Sequence, residues 1–253
     1  MNEPIRETCF RVRVFRTRAE MGAAAAADAA ACFRRLLEEK PEINLLFAAA
    51  PSQNELLAAL AADKTVEWNR IHAFHMDEYV GLDPRAPQGF GNFLRDRLFG
   101  LVPFASVHYI DPSATDAEAE CARYTALLRE HPLDAVCMGI GENGHVAFND
   151  PPVADFHDAA LIKPVPLDPI CRMQQVHDGC FARLEDVPTH AFTLTVPALA
   201  SAKHHFCVVP AKTKAEAVRR TVYGAIGEEC PATMLRLSFD ATLYLDPDSA
   251  SLL

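Results

Sequence analysis

The sequence predicts an α/β fold, a mostly parallel sheet with helices on both faces. Three observations carry that expectation. Short apolar or β-branched runs alternate with longer helical stretches along most of the chain. Runs such as 43–49 and 133–139 are apolar almost throughout, as strands covered on both faces are. The chain has 253 residues, half of them hydrophobic and 23% charged, which suits one large α/β domain with a sizeable core and is far from a disordered composition.

Residues 11–15 read as the first strand because Arg11 and Arg13 alternate with Val12 and Val14. Residues 19–39 read as a helix whose alanine-rich run leads to Leu36 and Leu37 and stops at Glu38-Glu39-Lys40-Pro41. Arginines at 6, 11, 13, 16 and 18 ahead of that run superficially resemble the start of a signal peptide. Alanine in place of leucine, the interruption at Asp28 and the strand-like alternation favour a folded helix. Strand 43–49 and a helix starting near Ser52 follow, then strand 70–76, helix 89–99, a short strand at 107–110, helix 116–130 and strand 133–139. Further along, 191–196 and 204–209 read as strands, 212–224 as a helix and 242–245 as the last strand, with right-handed crossovers expected. Residues 150–190 break the pattern with Pro151, Pro152, Pro164, Pro166, Pro169 and Pro188 among polar residues. Such a long irregular segment is expected over the carboxyl ends of the strands, where open α/β sheets place ligands. No repeat, low-complexity tail or Gly/Ser linker marks a boundary, so a single domain over 1–253 is expected.

With 24 Lys and Arg against 34 Asp and Glu, the net charge is −10, which argues against a nucleic-acid or acidic-membrane surface. No segment approaches the roughly 18 consecutive apolar residues of a membrane span. The eight cysteines are scattered without a C-x-x-C pair, and several, such as Cys137 and Cys207, sit in apolar runs. Buried free thiols in a reducing cytoplasm fit that distribution better than disulfides. His72, His75, Asp77 and Glu78 look like a metal cluster on paper, but residues three apart on a strand face opposite ways, so no metal site is expected from them. His204 and His205 diverge at a strand start and need no functional reading.

Two constellations follow predicted strands. In His75-Met76-Asp77-Glu78-Tyr79-Val80-Gly81-Leu82, only one of the adjacent carboxylates should face a given pocket. Either it is a general base whose pKa burial has raised, or the pair is a solvated loop feature. In Gly139-Ile140-Gly141-Glu142-Asn143-Gly144-His145-Val146-Ala147-Phe148-Asn149-Asp150, the glycines let the backbone turn and approach a ligand, and His145 with Asp150 could form an oriented imidazole–carboxylate pair.

These two stretches resemble the glucosamine-6-phosphate deaminase and 6-phosphogluconolactonase superfamily, sugar-phosphate enzymes with a Rossmann-like fold, and the likeness runs through most of the chain. Met76–Leu82 is similar to one signature of the deaminase branch and Gly139–Asn149 to its second, with Phe148-Asn149 standing where lactonases carry Ala-Ser. The resemblance implies that Asp77 moves a proton between C1 and C2 of an open-chain amino sugar. It likewise implies that His145 opens the pyranose ring, that Asp150 orients His145 in place of the family's usual Glu, and that Asn143 belongs to the same catalytic group. The implied reaction converts glucosamine 6-phosphate, or a close hexosamine phosphate, to the ketose phosphate and ammonia with neither metal nor organic cofactor. Ser52, Gly144, Lys214 and Arg172 are the implied substrate- and phosphate-binding residues.

The phosphate end departs from the family pattern. Ala48-Ala49-Ala50-Pro51-Ser52-Gln53-Asn54-Glu55 has no glycine, and Ser52 with Glu55 reads equally as a helix capping box. His177 stands where the family has an arginine, and Arg172, five residues earlier, is either its substitute or an ordinary ion-pair partner. Two other readings remain open: a 6-phosphogluconolactonase-like hydrolase, and a non-catalytic sugar-phosphate sensor. The family includes monomers and larger assemblies, so a homo-oligomer is also open.

Overall fold

The computed structural model describes residues 9–151, 153–177 and 179–253; Arg6 of the basic run and Pro152 of the proline-rich segment lie outside the described residues. Strand β1 (Cys9–Val14) leads through the Thr17 cap, whose side chain accepts the Glu20 N–H, into α1 (Arg18–Glu39). The alanine run is the buried face of this helix. Ala25 and Ala29, and Ala26 and Ala30, stack at i, i+4 spacing against the sheet and α2 (Asn54–Ala62).

A seven-stranded parallel sheet carries the molecule. Besides β1 it contains β2 (Ile43–Phe47), β3 (Ile71–His75), β5 (Ser106–His108), β6 (Ala135–Met138), β9 (His204–Val209) and β10 (Asp240–Leu245), in the spatial order β1-β10-β9-β6-β2-β3-β5. Alternate residues of each strand enter two separate apolar layers. Ile43, Leu45, Phe47, Ala135, Cys137 and Phe206 face the layer of α1 and α2. Leu46, Phe74, Val136, Met138, Cys207 and Leu243 face the layer built with α4 (Ala117–Glu130), α6 (Val196–Ala200) and α7 (Ala215–Tyr223). This is the expected sheet with helices on both faces. The eight cysteines are free, and among the described residues no helix is long and apolar enough to cross a membrane.

Residues 150–190 differ from expectation. They contain β7 (Ile162–Pro166) and α5 (Pro169–His177). The expected strand 191–196 is β8 (His190–Leu194), and it does not join the parallel sheet. It is the middle strand of a separate antiparallel sheet with β7 on one side and β4 (Asp77–Tyr79) on the other. Proline hid β7 in the sequence, yet β7 is an edge strand, where a missing N–H costs no ladder bond, and Ile162 and Val165 still face inward. Pro169 opens α5 at a position where its lost N–H is tolerated. Helix 89–99 is also irregular, running as α3 (Phe90–Leu94) into a wider π-helical turn over Arg95–Phe99.

His204 and His205 separate as expected. His204 Nδ1 lies 2.8 Å from Asp240 Oδ2, whereas His205 is buried and its Nε2 donates to Leu199 O at 2.9 Å. Burial pushes His205 down to about 4. A depressed imidazole stabilises the fold above its unfolded pKa of about 6.5, and that stabilisation is lost as the pH falls toward 4. Relative to His205→Gln, which keeps an N–H for Leu199, the protein should therefore lose up to about 3 kcal/mol between pH 6.5 and 4. Urea midpoints of the two proteins across that range check it; parallel curves would refute a neutral buried imidazole.

Candidate active site

The strand order changes direction at β2, with β3 and β5 to one side and β6, β9 and β10 to the other. Such a switch point opens a crevice at the carboxyl ends of the strands. Here it is a cavity of about 540 Å³, walled by the segments that follow β2, β3, β6 and β9. Asp77 and His145 both line it.

Asp77 sits where the chain passes from one sheet to the other. β3 ends at His75, Met76 O accepts the Leu194 N–H at 2.8 Å, and Asp77 then pairs with Thr193. His75 holds the bend. Its Nε2 accepts from Ile110 N at 2.9 Å, so its Nδ1 carries the proton and donates to Asp77 O, also at 2.9 Å. Burial keeps this imidazole neutral, with its pKa lowered to about 4. The Asp77 carboxyl is itself buried, and its Oδ1 finds no hydrogen-bond partner among the described residues. Burial, and secondarily the charge of Glu78, holds it well above the usual carboxylate range. Glu78 points the other way, as the alternation of a strand requires. It accepts the N–H groups of Tyr79, Phe90 and Gly91 at 2.9–3.1 Å and fixes the start of α3, with burial raising it to about 7.

The second loop is a set of tight turns after β6. The Gly141 N–H donates to His145 O and the Gly144 N–H to Gly141 O. A Cβ on Gly141 would lie 2.1–2.4 Å from atoms of the His145 ring, so the imidazole lies where only glycine leaves room. Gly144 has φ +90°, and a Cβ there would meet Cys230 Sγ at 2.7 Å. His145 Nδ1 lies 2.8 Å from Asn143 Oδ1 and 2.9 Å from Asp150 Oδ1, while Asn143 Nδ2 donates to Asp150 Oδ1 at 2.8 Å. Both neighbours of Nδ1 are acceptors, so Nδ1 carries the proton and Nε2 is left to exchange one with a ligand. Asp150, shorter than the glutamate of the resembled pattern, reaches the ring.

Phe148 and Asn149 anchor this loop. The Phe148 N–H donates to Thr193 Oγ1 at 3.0 Å, and Asn149 Nδ2 donates to Val146 O and Leu194 O. Ala147 between them and His145 adopts φ 50°, and Ala211, at the cavity edge after β9, φ 83°. Left-handed alanines cost about 1–2 kcal/mol each and persist only where surrounding bonds hold them. Asp246 does so for Ala211 by accepting its N–H.

Ser52 and Lys214 also line the cavity. The expected capping box does not form. A 3-10 turn over Pro51–Gln53 precedes α2, Ser52 Oγ accepts from Gln53 Nε2 at 3.0 Å, and Glu55 pairs instead with Arg18 Nε at 2.8 Å. Gln53 also donates to Val208 O, tying the loop to β9. Arg172 and Gly144, expected at the substrate, do not line the cavity. Arg172 Nη2 donates to Leu184 O and Val187 O, both at 2.8 Å, which binds α5 to the following turn. Gly144 serves the turn geometry. Asn143 and Asp150 stand behind His145 rather than in the wall. His177 is mostly exposed, 3.8 Å from Glu142, and α5 contributes Gln174 and Gln175 to the wall in its place. Two cations that the sequence does not mark as site residues, Arg18 and Arg97, also line the cavity. Arg97 donates to Asn54 Oδ1 at 2.8 Å and lies 3.8 Å over the Phe93 ring. They come from helices remote in sequence, and no local pattern marks them.

Gly141→Ala is expected to displace the His145 ring from Asn143 and Asp150 without unfolding the protein. A crystal structure of the variant reads this directly, and an unmoved ring would contradict the role given to Gly141.

The family model described as glucosamine-6-phosphate isomerases/6-phosphogluconolactonase matches residues 16–244. A glucosamine-6-phosphate deaminase of Listeria monocytogenes is 36% identical over 212 residues, covering 84% of this chain and 88% of that protein. One from an Exiguobacterium species is 36% identical over 189 residues, covering 74% and 71%. Among solved structures, a monomeric glucosamine-6-phosphate deaminase superposes with a TM-score of 0.87 at 29% identity, covering 96% of this chain and all of that one. A 6-phosphogluconolactonase from Thermotoga maritima superposes with a TM-score of 0.76 at 21% identity over 94% of this chain and 100% of that one, a likeness of fold. With a family model over most of its length and relatives at 36% identity, the chain belongs to the glucosamine-6-phosphate isomerase/6-phosphogluconolactonase family.

Proposed function

We propose that the protein is an amino-sugar-phosphate deaminase, converting glucosamine 6-phosphate and water to fructose 6-phosphate and ammonia. The observation that carries this reading is the presence, in one cavity, of two acid/base groups with separate environments: a buried carboxyl whose Oδ1 has no hydrogen-bond partner among the described residues, and an imidazole oriented from behind by Asn143 and Asp150. Such a division assigns two proton transfers to two groups.

His145, protonated on Nδ1 and open at Nε2, exchanges the proton that opens the sugar ring at its ring oxygen. Asp77 takes the proton from C2 of the open chain and returns it to C1. Its raised affinity for a proton suits both halves of that transfer. Water then adds at the nitrogen-bearing C2 and ammonia leaves. A lactonase needs His145 to activate water but has no carbon acid for Asp77 to deprotonate, so the buried Asp77 favours the deaminase. The relatives at 36% identity carry the deaminase name as well.

Arg18 and Arg97 flank the end of the cavity where α2 begins, bonded to Pro51 O and Asn54 Oδ1 on either side of Ser52, Lys214 lines the same cavity, and the helix start adds its partial positive charge. This is the end assigned to the phosphate. The local charge offsets a chain that is acidic overall.

Incubation with glucosamine 6-phosphate should release ammonia and fructose 6-phosphate in equal amounts. Hydrolysis of 6-phosphogluconolactone without ammonia from the amino sugar would replace this reading with the lactonase. Asp77→Asn and His145→Gln should each lower kcat by about 10²–10⁴-fold with cooperative unfolding retained; full activity in both would sink the assignment. Because burial raises Asp77 and the base works ionised, kcat/KM should fall on the acid side at a pH well above the ordinary aspartate value of about 3.9. A pH–rate profile with its acid limb near 4 would contradict it. Lys214→Met should raise KM for the phosphorylated sugar about 10–100-fold with a smaller change in kcat, the loss of one charge-assisted contact. An unchanged KM would remove Lys214 from the phosphate site.

A further inference from the structure

A second cluster lies outside the cavity. β3 and β5 run parallel with His72 beside Ser106 and Phe74 beside His108, so the side chains of these four residues share one face of the sheet. α4 packs against this face through Tyr124 on Phe74, and its carboxyl end delivers His131 to the same place. The His131 ring lies 4.4 Å from that of His72 and 5.3 Å from that of His108, between centroids. One ligand nitrogen from each of the three lies within 4.8 Å of the others, and all three residues are half-buried and open to solvent on one side. None of them lines the cavity.

We propose that His72, His108 and His131 form a zinc-class divalent metal site, with Glu42 as the fourth ligand. Three neutral imidazoles and one carboxylate are a donor set suited to Zn²⁺. Zinc–nitrogen bonds of about 2.0–2.1 Å place tetrahedral ligand atoms about 3.3 Å apart, so the rings need to close by about 1.5 Å or less. Small rotations of the three partly buried rings supply that. Glu42 Oε2 lies 3.0 Å from His72 Nε2 on a side chain that is 58% exposed and free to swing toward the ion. The outer hydrogen bonds are present too. Ser106 Oγ lies 2.7 Å from His72 Nδ1 and 2.6 Å from His108 Nε2, so one hydroxyl orients both rings, and with His72 Nε2 on the ion beside Glu42, Nδ1 keeps Ser106 as its outer partner. The chain-local quartet of His72, His75, Asp77 and Glu78 makes no such site, because His75 is spent on Asp77 O and Ile110 N. The ion would tie the edge strand β5 and the last turn of α4 to β3, away from the reacting groups. Its effect is therefore on stability, independent of the reaction assigned to the cavity.

The test uses the whole chain, stripped with chelator and dialysed, then titrated with ZnCl₂ by calorimetry and followed by thermal unfolding. One Zn²⁺ per chain is expected, with a micromolar or lower Kd, and a rise in Tm of about 5 °C or more at a hundredfold excess over Kd. His131→Ala and His108→Ala should each weaken binding about tenfold or more, and His131→Gln serves if an alanine variant unfolds. His145→Gln should leave the binding unchanged. That control matters because donor atoms of His145, Asp150 and Cys171 also lie within 4.8 Å of one another. Absence of binding at about 100 μM Zn²⁺, or binding lost in His145→Gln and kept in His131→Ala, overturns the proposal.

Discussion

Strand β8 is the point from which both acid/base loops hang. Thr193 pairs with Asp77 across the small antiparallel sheet, and the next residue, Leu194, donates its N–H to Met76 O. The same two residues accept from the other loop, Thr193 Oγ1 from the Phe148 N–H and Leu194 O from the Asn149 amide. Asp77 and His145 are 68 residues apart in the chain, by subtraction of their numbers, and follow different strands of the main sheet, β3 and β6. Their relative position is set by two consecutive residues of a third element. The Phe148-Asn149 pair has a structural office: phenylalanine packs on Tyr79 and Phe90 beside the cavity, and asparagine is the clamp to β8.

Burial then divides the chemistry. The chain leaves the parallel sheet at Met76, and the aspartate that follows is closed in by the second sheet without gaining, among the described residues, a hydrogen-bond donor for its Oδ1. A carboxyl so placed holds its proton more tightly. Glu78, one residue on, is equally buried but receives three backbone N–H groups, and it organises α3 rather than facing the cavity. Adjacent carboxyls of the same type therefore do different work because a strand sends them to opposite sides.

The end of the cavity proposed for the phosphate departs from the resembled sequence pattern. A glycine-rich turn brings backbone N–H groups close to an anion; an alanine- and proline-containing one does so less well. Here side-chain cations from α1 and from the turn after α3 line the same cavity as Lys214. Arg18 is held by Glu55, and Arg97 by Asn54 and the face of Phe93, so both approach in fixed directions.

The sequence by itself determined the alternation of strands and helices, the apolar continuity that makes the main sheet parallel and two-sided, and the two loops that carry Asp77 and His145. These are local properties: periodicity of side chains, turn-forming glycines and the residue types at strand ends. What only the tertiary structure decided depends on partners distant in the chain. Pro164 and Pro166 argue against a strand until the edge position of β7 is known. Ser52 and Glu55 have the spacing of a cap until Arg18 claims the glutamate. Arg172 has the chemistry of an anion ligand but meets two carbonyls first. The meeting of His72 with His108 and His131 follows from strand register and from where α4 ends, which no spacing within any one segment encodes.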